Sequence, residues 1–314
     1  MSTAELLQTL RASRHLPLRP PTPGAADGLG RLCGGPPPPE LAELYRHCDG
    51  AEKLGDAWMR PLPVSEVIAS PDFGPPLLQR WRAVLCFTDD ESNYAGVYTA
   101  GPLAGTVLLL NHDEPSPAPR YWTVNDLLGA IADSSIEDAM WKRAGAQLPV
   151  AMNPQPVATQ AKPAALADRV RTLADAEPDE EKRRDLLVCL LHLIPATRIA
   201  EVRAALDYDD IWLPELAAEI VGAARDEASL PALVALARQR RRNGDIAAIL
   251  AIGQLATPAA RAALLQLAAE PGADRYAPYL ARAMKEAGLH AELRAGAWFY
   301  RASPGQQWKP FGSA

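Results

Sequence analysis

Three short apolar runs, separated by polar or glycine-rich connections, dominate residues 81–114. The runs are Arg82–Thr88, Tyr94–Thr99 and Thr106–Leu110, and each has the length of one β-strand. The last run is almost entirely apolar, which is typical of a strand that is covered on both faces. The connection Gly101–Gly105 predicts that the last two strands form an antiparallel hairpin.

Helical and extended patterns flank these strands. An apolar stripe at helical spacing predicts a helix over residues 39–48, and Thr123 is a suitable N-cap for a second helix, Val124–Ile131. Between them, Trp58–Leu62 predicts a strand. Residues 16–39 are rich in proline and glycine, and we interpret them as an extended loop or arm because proline stops helices.

From residue 164 onward the pattern changes to helices at regular spacing. The predicted helices cover residues 164–175, 178–193, 197–206, 211–224, 227–241, 244–255, 257–270 and 274–288. Leu230–Ala237 resembles Thr257–Leu267, and Asp245–Ile252 resembles Tyr276–Ala283. Both pairs are offset by about 30 residues, which is the size of a helical-hairpin repeat.

These patterns divide the chain into five parts. They are an N-terminal helix and Pro/Gly-rich arm (1–36), an α+β domain (37–143), a linker (144–163), an all-α domain of helical repeats (164–290) and an aromatic C-terminal tail (291–314). The linker is rich in Ala, Pro and Gln and low in charge, so it is expected to be semi-extended.

The net charge of −6 belongs to the strand-bearing half. Residues 1–150 hold 12 Lys and Arg against 18 Asp and Glu, whereas residues 151–314 hold 20 of each kind. An acidic domain disfavours nucleic acid, whose phosphates need cationic partners. It attracts basic proteins and speeds their encounter. We therefore expect a basic protein partner and no direct contact with nucleic acid.

The cysteines and the apolar runs indicate the compartment. Cys33, Cys48, Cys86 and Cys189 form no C-x-x-C pair and, with five scattered histidines, give no zinc pattern. Free thiols are typical of a reducing compartment. The first twenty residues lack the apolar core of a secretory signal, and the apolar runs are too short to span a bilayer. We expect a cytoplasmic bacterial protein with no cofactor, no metal and no membrane contact.

The acidic segment Asp89-Asp90-Glu91 is the first candidate for chemistry. Consecutive carboxylates in a turn rarely converge on one metal ion. A solvated turn with local hydrogen bonds is one interpretation, and an acidic loop that meets a basic partner is the other. His112 with Asp113 or Glu114 suggests an acid–base pair, but no Ser or Cys nucleophile lies in a recognisable elbow. We expect no enzymatic activity.

Several segments follow one another in a characteristic order. They are the helix Pro38–Tyr45 running into Asp49-Gly50-Ala51, the strand Trp58–Leu62 followed by Val64 and Val67, the segment Cys86–Tyr94, the segment Gly101–Val107, the end of the last strand at His112-Asp113-Glu114, and the helix Thr123–Leu128. Together they resemble the SUKH superfamily, which is shared by yeast cell-wall-assembly regulators and bacterial immunity proteins. The resemblance covers about residues 37–135.

This resemblance implies an α+β fold with a curved antiparallel sheet backed by helices. In bacteria it implies an immunity protein that neutralises a toxin by binding it, commonly a nuclease or a deaminase. The helices after residue 164 resemble HEAT-like repeats. The Pro-rich arm and the second domain are departures from the SUKH pattern.

The expected partner-binding face consists of acidic side chains and one amide. Its members are Asp49, Asp56, Asp89, Asp90, Glu91, Asn93, Asp113 and Glu114. The expected partner is a cognate, basic protein toxin of a polymorphic toxin system, and the protein is expected to be a monomer. The alternative is a non-catalytic scaffold or regulatory adaptor with two interaction domains. In the second domain, Asp207–Asp210 is either a solvated loop or part of a concave binding face.

Overall fold

The computed structural model describes residues 1–113, 115–133, 147–153, 161–239, 242–294 and 297–312, except for the side chains of residues 242 and 243. These residues form thirteen α-helices and two antiparallel sheets, so the fold is mixed α and β. The chain divides into two compact units. The first contains Met1–Pro149 and Ala161–Leu193, and the second contains Val150–Gln160 and Ile194–Ala314.

The first unit combines seven helices with one sheet. Its helices are α1 (Thr3–Ser13), α2 (Ala25–Cys33), α3 (Pro39–His47), α4 (Leu77–Arg80), α5 (Val124–Ala132), α6 (Ala161–Ala176) and α7 (Glu180–Leu193). Its strands are β1 (Arg60–Pro61), β2 (Ile68–Ala69), β3 (Ala83–Thr88), β4 (Tyr94–Tyr98), β5 (Val107–Leu110) and β6 (Pro119–Tyr121).

The sheet has the strand order β1-β3-β4-β5-β6, and β2 also pairs with β3. All neighbours are antiparallel, with Tyr94 opposite Thr88 on β3 and opposite Leu110 on β5. The three predicted strands and the predicted hairpin between β4 and β5 are therefore confirmed. Thr123 caps α5 as predicted, because its side chain accepts the backbone N–H of Asp126.

Both faces of the central strands are covered. Alternate residues such as Val97 and Val107 join a buried cluster with Leu10, Leu44 and Leu127, which come from α1, α3 and α5. Tyr98 points to the opposite face, where its hydroxyl and the thiol of Cys189 on α7 both donate to the carbonyl of Pro117. Two-sided cover explains why every residue of β3 and β5 is buried.

The prediction of an extended arm is wrong for the nine residues Ala25–Cys33, which form a helix. Helix α2 forms inside the Pro/Gly-rich segment, between Gly24 and Gly34, which both have positive φ angles. Leu29 and Cys33 of this helix join the same core cluster as Leu6 of α1. Residues 1–33 are thus part of the first unit, because they cover its sheet.

Two helices that the sequence assigned to the repeat domain belong to the first unit. Helices α6 and α7 form close to the predicted positions, but they group with the α+β fold. Arg80 of α4 forms an ion pair of 2.7 Å with Glu177, which lies between α6 and α7. The buried side chain of Asp185 on α7 accepts a hydrogen bond from the backbone of Leu77.

The second unit stacks its helices and ends in a small sheet. Its helices are α8 (Ile199–Ala204), α9 (Leu213–Ala223), α10 (Leu230–Arg238), α11 (Arg242–Leu255), α12 (Pro258–Ala269) and α13 (Ala277–Glu286). Helix α9 packs on α11, and α11 packs on α13. Glycine permits both approaches, because a Cβ at Gly222 or Gly253 would lie 2.8 Å from Ala251 or 2.7 Å from Ala283. The two glycines are 31 positions apart.

The aromatic tail forms a three-stranded antiparallel sheet. Its strands are β7 (His290–Arg294), β8 (Ala297–Arg301) and β9 (Lys309–Pro310). Their order in the sheet is β7-β8-β9. The rings of Tyr300 and Phe311 meet edge to face at 5.2 Å, and the Gly312 N–H donates to the carbonyl of Ala268 on α12. The tail therefore packs on the last helical hairpin.

Candidate partner-binding surface

The predicted acidic residues gather mostly at one end of the six-stranded sheet. Strand β3 ends at Thr88, β4 begins opposite it at Tyr94, and β5 ends opposite Tyr94 at Leu110. Antiparallel pairing therefore places the turn 89–93 beside residues 111–113. We call the turn and these three residues the acidic end of the sheet.

Asp89 is turned towards its own loop. One carboxylate oxygen accepts the backbone N–H groups of Glu91 and Asn93, both at 3.0 Å, and the other accepts the Asn93 side-chain amide at 2.6 Å. This is the local hydrogen bonding typical of an Asp-led turn. Asp89 therefore shapes the turn, in agreement with the local alternative and against a role in direct contact.

Asn93 is also structural, which corrects its place in the expected contact face. It is only 4 % exposed. Its side-chain oxygen accepts the backbone N–H of His112 at 3.0 Å and lies 3.1 Å from His112 Nδ1. The other ring nitrogen of His112 lies 3.0 Å from Asp113. Asn93 thus joins the turn after β3 to the end of β5.

Asp90 is exposed at the surface, and an ion pair with Arg60 holds its carboxylate in place. Its backbone has a φ of 64°, in the left-handed region, where Asp is among the tolerated residue types. Nε and Nη2 of Arg60 both lie 2.7 Å from Asp90 Oδ1. Arg60 also donates to the carbonyl of Ala51 at 2.6 Å. The acidic turn is therefore attached to the edge strand β1.

The remaining predicted residues divide by exposure. Glu91 and Asp113 are exposed at the acidic end, and Asp56 is exposed and pairs with His15 at 2.6 Å. Asp49 is half-buried, because it accepts the Thr22 hydroxyl at 2.5 Å and the Val64 N–H at 2.9 Å. Asp49 thereby links the segment around Thr22 to the segment around Val64, and its carboxylate is not available to a partner. Glu114 lies outside the described residues.

An aromatic residue that the sequence reasoning missed lies at the same end. Phe73 is 44 % exposed, and its ring centroid is 6.2 Å from that of Tyr94. Its neighbour Asp72 is exposed as well. The available signal was an aromatic residue within the Pro/Gly-rich stretch Pro71–Pro76, where no helix or strand would bury it.

The thiols and metal ligands offer little chemistry in the described part of the chain. All four cysteines are free and buried, and burial raises the pKa of Cys33 and of Cys48 to about 11. Protonated thiols are poor nucleophiles and metal ligands. Within the described ranges, no group of three His, Cys, Asp or Glu side chains is placed to hold a metal ion. None of the described helices has the length and apolar content to cross a membrane.

Comparison of the chain with family models, with curated proteins and with solved structures finds no match in any of the three.

Proposed function

We propose that this protein is an immunity protein that binds and neutralises a basic protein toxin, without catalysing a reaction, in the bacterial cytoplasm. The observation that carries the proposal is that the acidic end of the sheet exposes three acids, Asp90, Glu91 and Asp113, and that the exposed ring of Phe73 lies against Tyr94 at the start of β4. The order of α3, β3, β4, β5 and α5 also follows the order of the segments that resemble the SUKH superfamily.

The acidic end of the sheet is preorganised for binding. Asp90 is fixed by Arg60, and the turn itself is held by Asp89 and Asn93. A surface that is already ordered loses less conformational entropy on binding. Exposed carboxylates steer a basic partner to the surface, and an aromatic side chain supplies a typical binding hot spot. A toxin that acts on nucleic acid carries the cationic groove that such a surface fits.

We also propose that the first unit is SUKH-like and that the stacked helices from α8 to α13 are HEAT-like repeats. The 31-residue interval between Gly222 and Gly253, each at a close contact with the next stacked helix, supports the repeat interpretation. The repeats would enlarge the contact with the toxin or bind a second partner.

Co-expression tests the proposal. A toxin-type reading frame next to the gene is expressed in a bacterial host with and without this protein, and growth and complex formation are measured. The expected result is toxicity that this protein relieves by forming a stable complex. Toxicity that persists in the presence of the folded protein contradicts the proposal.

Charge reversal tests the surface. Glu91→Lys and Asp113→Lys are expected to slow association with the toxin about tenfold and to reduce its dependence on salt, because steering is electrostatic. Glu286→Lys is the matched control, since it reverses an exposed acid on α13 in the other unit. If all three variants associate at the same rate as the wild type, the acidic end is not the contact.

A scaffold or adaptor without a toxin is the second candidate. It is favoured by a second exposed apolar segment, Tyr208–Trp212, in the second unit. An adaptor would form a complex with a partner but would relieve no toxicity, so the growth measurement separates the two functions.

A further inference from the structure

The loop between α8 and α9 exposes three large apolar side chains within five residues. Tyr208, Ile211 and Trp212 are 46 %, 63 % and 44 % exposed. The loop has a fixed shape, because Asp210 accepts the backbone N–H groups of Trp212 and Leu213 at 2.7 and 2.9 Å. We call residues 207–212 the acidic loop, since they include three aspartates. Isolated exposed apolar residues are normal, but three together mark an interaction site.

The terminal sheet of the same unit has the opposite charge. The guanidinium carbons of Arg294 and Arg301 lie 4.2 and 4.4 Å from the centre of the Trp308 ring. Leu293 beside them is 58 % exposed. From residue 290 to residue 312 the sequence holds three Lys and Arg against one Glu, with His290 counted as neutral. Arg294 pairs with Glu292 on the same strand, so Arg301 and the exposed Lys309 supply the net positive charge of the face. The face therefore combines apolar area with positive charge.

The acidic loop and the terminal sheet are complementary in charge, and both carry exposed apolar side chains. Within one chain they do not cover each other. Both belong to the second unit, and both remain exposed there. Opposite charge favours their association, and Tyr and Trp rings bind guanidinium groups well. Apolar side chains on both sides would be removed from water by contact.

We propose that the acidic loop of one copy docks on the terminal sheet of a second copy. Such a contact is heterologous, because each copy contributes a different surface, so the contact can repeat from copy to copy. The protein then associates reversibly as its concentration rises, which departs from the expectation of a monomer. The proposal does not depend on the toxin, and needs only the protein itself as its probe.

Sedimentation velocity of the full-length protein tests this between about 1 and 200 μM, at low and at high salt. We expect the average mass to rise with concentration and the association constant to fall several-fold in high salt, because opposite charges are screened. A protein that remains a monomer over this range in low salt overturns the proposal.

Surface variants then identify the contact. Ile211→Ser with Trp212→Ala removes the apolar part of the acidic loop. Leu293→Ser with Arg294→Gln removes an exposed apolar side chain and one positive charge from the surface of the terminal sheet. Each double variant is expected to lower the association constant at least about tenfold. Tyr279→Ser, which removes another exposed aromatic side chain of the second unit, is the matched control and is expected to associate like the wild type. Circular dichroism verifies that each variant is folded.

Mixing the two double variants gives the decisive result. Each retains one intact surface of the pair, so an equimolar mixture is expected to form a 1:1 dimer and to stop there. A mixture that stays monomeric, or variants that associate as strongly as the wild type, overturns the heterologous contact. If a double variant unfolds, the single substitutions Trp212→Ala and Arg294→Gln replace it in the same mixture.

Discussion

Arg60 and Asp90 are 30 positions apart in the sequence, yet two nitrogens of the guanidinium lie 2.7 Å from one oxygen of the carboxylate. The Arg60 side chain is only 11 % exposed, while Asp90 faces the surface. The pair therefore links the edge of the sheet to the turn that carries the exposed acids.

Replacing Asp90 by Asn tests the contribution of this ion pair. Asn tolerates the left-handed backbone of residue 90, so the substitution mainly removes the charge opposite Arg60. We expect a loss of about 1–2 kcal/mol in the free energy of unfolding, because a largely buried guanidinium loses its carboxylate. Urea denaturation measures this. Glu91→Gln, one residue further along the exposed turn, is the control, and an equal loss in both variants would mean that the pair contributes nothing specific.

Asp185 predicts a pH dependence of stability. Burial raises the pKa of this carboxyl to about 6, with nearby Arg184 acting in the opposite direction. One carboxylate oxygen is buried without a hydrogen-bond partner among the described residues. The folded pKa is raised, so between about pH 4 and pH 6 the folded state binds more protons than the unfolded chain. The contribution of Asp185 to stability is therefore greatest below pH 4 and declines as the pH rises to about 6.

Asp185→Asn should abolish this component and raise stability at neutral pH, by at most about 3 kcal/mol. The measurement is urea unfolding at several pH values from 4 to 7.5, compared with Asp175→Asn, which changes an exposed acid on α6. Parallel pH profiles for the wild type and Asp185→Asn would show that the buried carboxyl is not the titrating group.

The close packing of α11 on α13 predicts a difference between two glycines of one helix. A Cβ at Gly253 would lie 2.7 Å from the backbone of Ala283, whereas a Cβ at Gly244 would meet the side chain of Leu236 at an ordinary 3.5 Å. Gly253→Ala is therefore expected to destabilise the protein by about 1–3 kcal/mol through overpacking. Gly244→Ala is expected to be neutral or stabilising, because Ala favours the helix. Thermal unfolding of both variants checks this, and similar melting temperatures for the two would contradict the close approach.

Ala256 predicts a gain in stability. It joins α11 to α12 with a φ of 55°, in the left-handed region that an alanine side chain disfavours. Ala256→Gly is expected to raise the free energy of unfolding by about 0.5–1 kcal/mol, since the relieved strain exceeds the added entropy of the unfolded chain. In the exposed helical position of Ala262, the same substitution should cost about 1 kcal/mol. Opposite signs in urea denaturation are the expected result, and destabilisation by both would contradict it.

The residues that sequence reasoning located correctly have local causes. The strands β3 to β5 follow from apolar runs, the hairpin from Gly101–Gly105, and the start of α5 from Thr123. Asp89 was placed in the contact face, and the alternative of a turn with local hydrogen bonds follows from a local rule, because an aspartate that leads a turn bonds to the next backbone N–H groups.

The errors have non-local causes. Asn93 was expected to be exposed, but it is buried because its partner, His112, comes from another strand end. Helix α2 was missed because prolines and glycines surround it, and its apolar side gains stability only from the core cluster. Phe73 was missed because exposure at a loop depends on what packs around it.

The sequence by itself determined the strands β3 to β5, most of the helices, the acidic half and the repeat spacing, because each depends on residues close together in the chain. The tertiary structure alone decided which of the predicted side chains are held by distant segments: Arg60 pairs with the exposed Asp90, whereas Thr22 and His112 bond to Asp49 and Asn93. It also decided that α6 and α7 complete the first unit. The physical reason is that burial and charge pairing depend on which segments meet in space, whereas local propensity depends only on the order of residues.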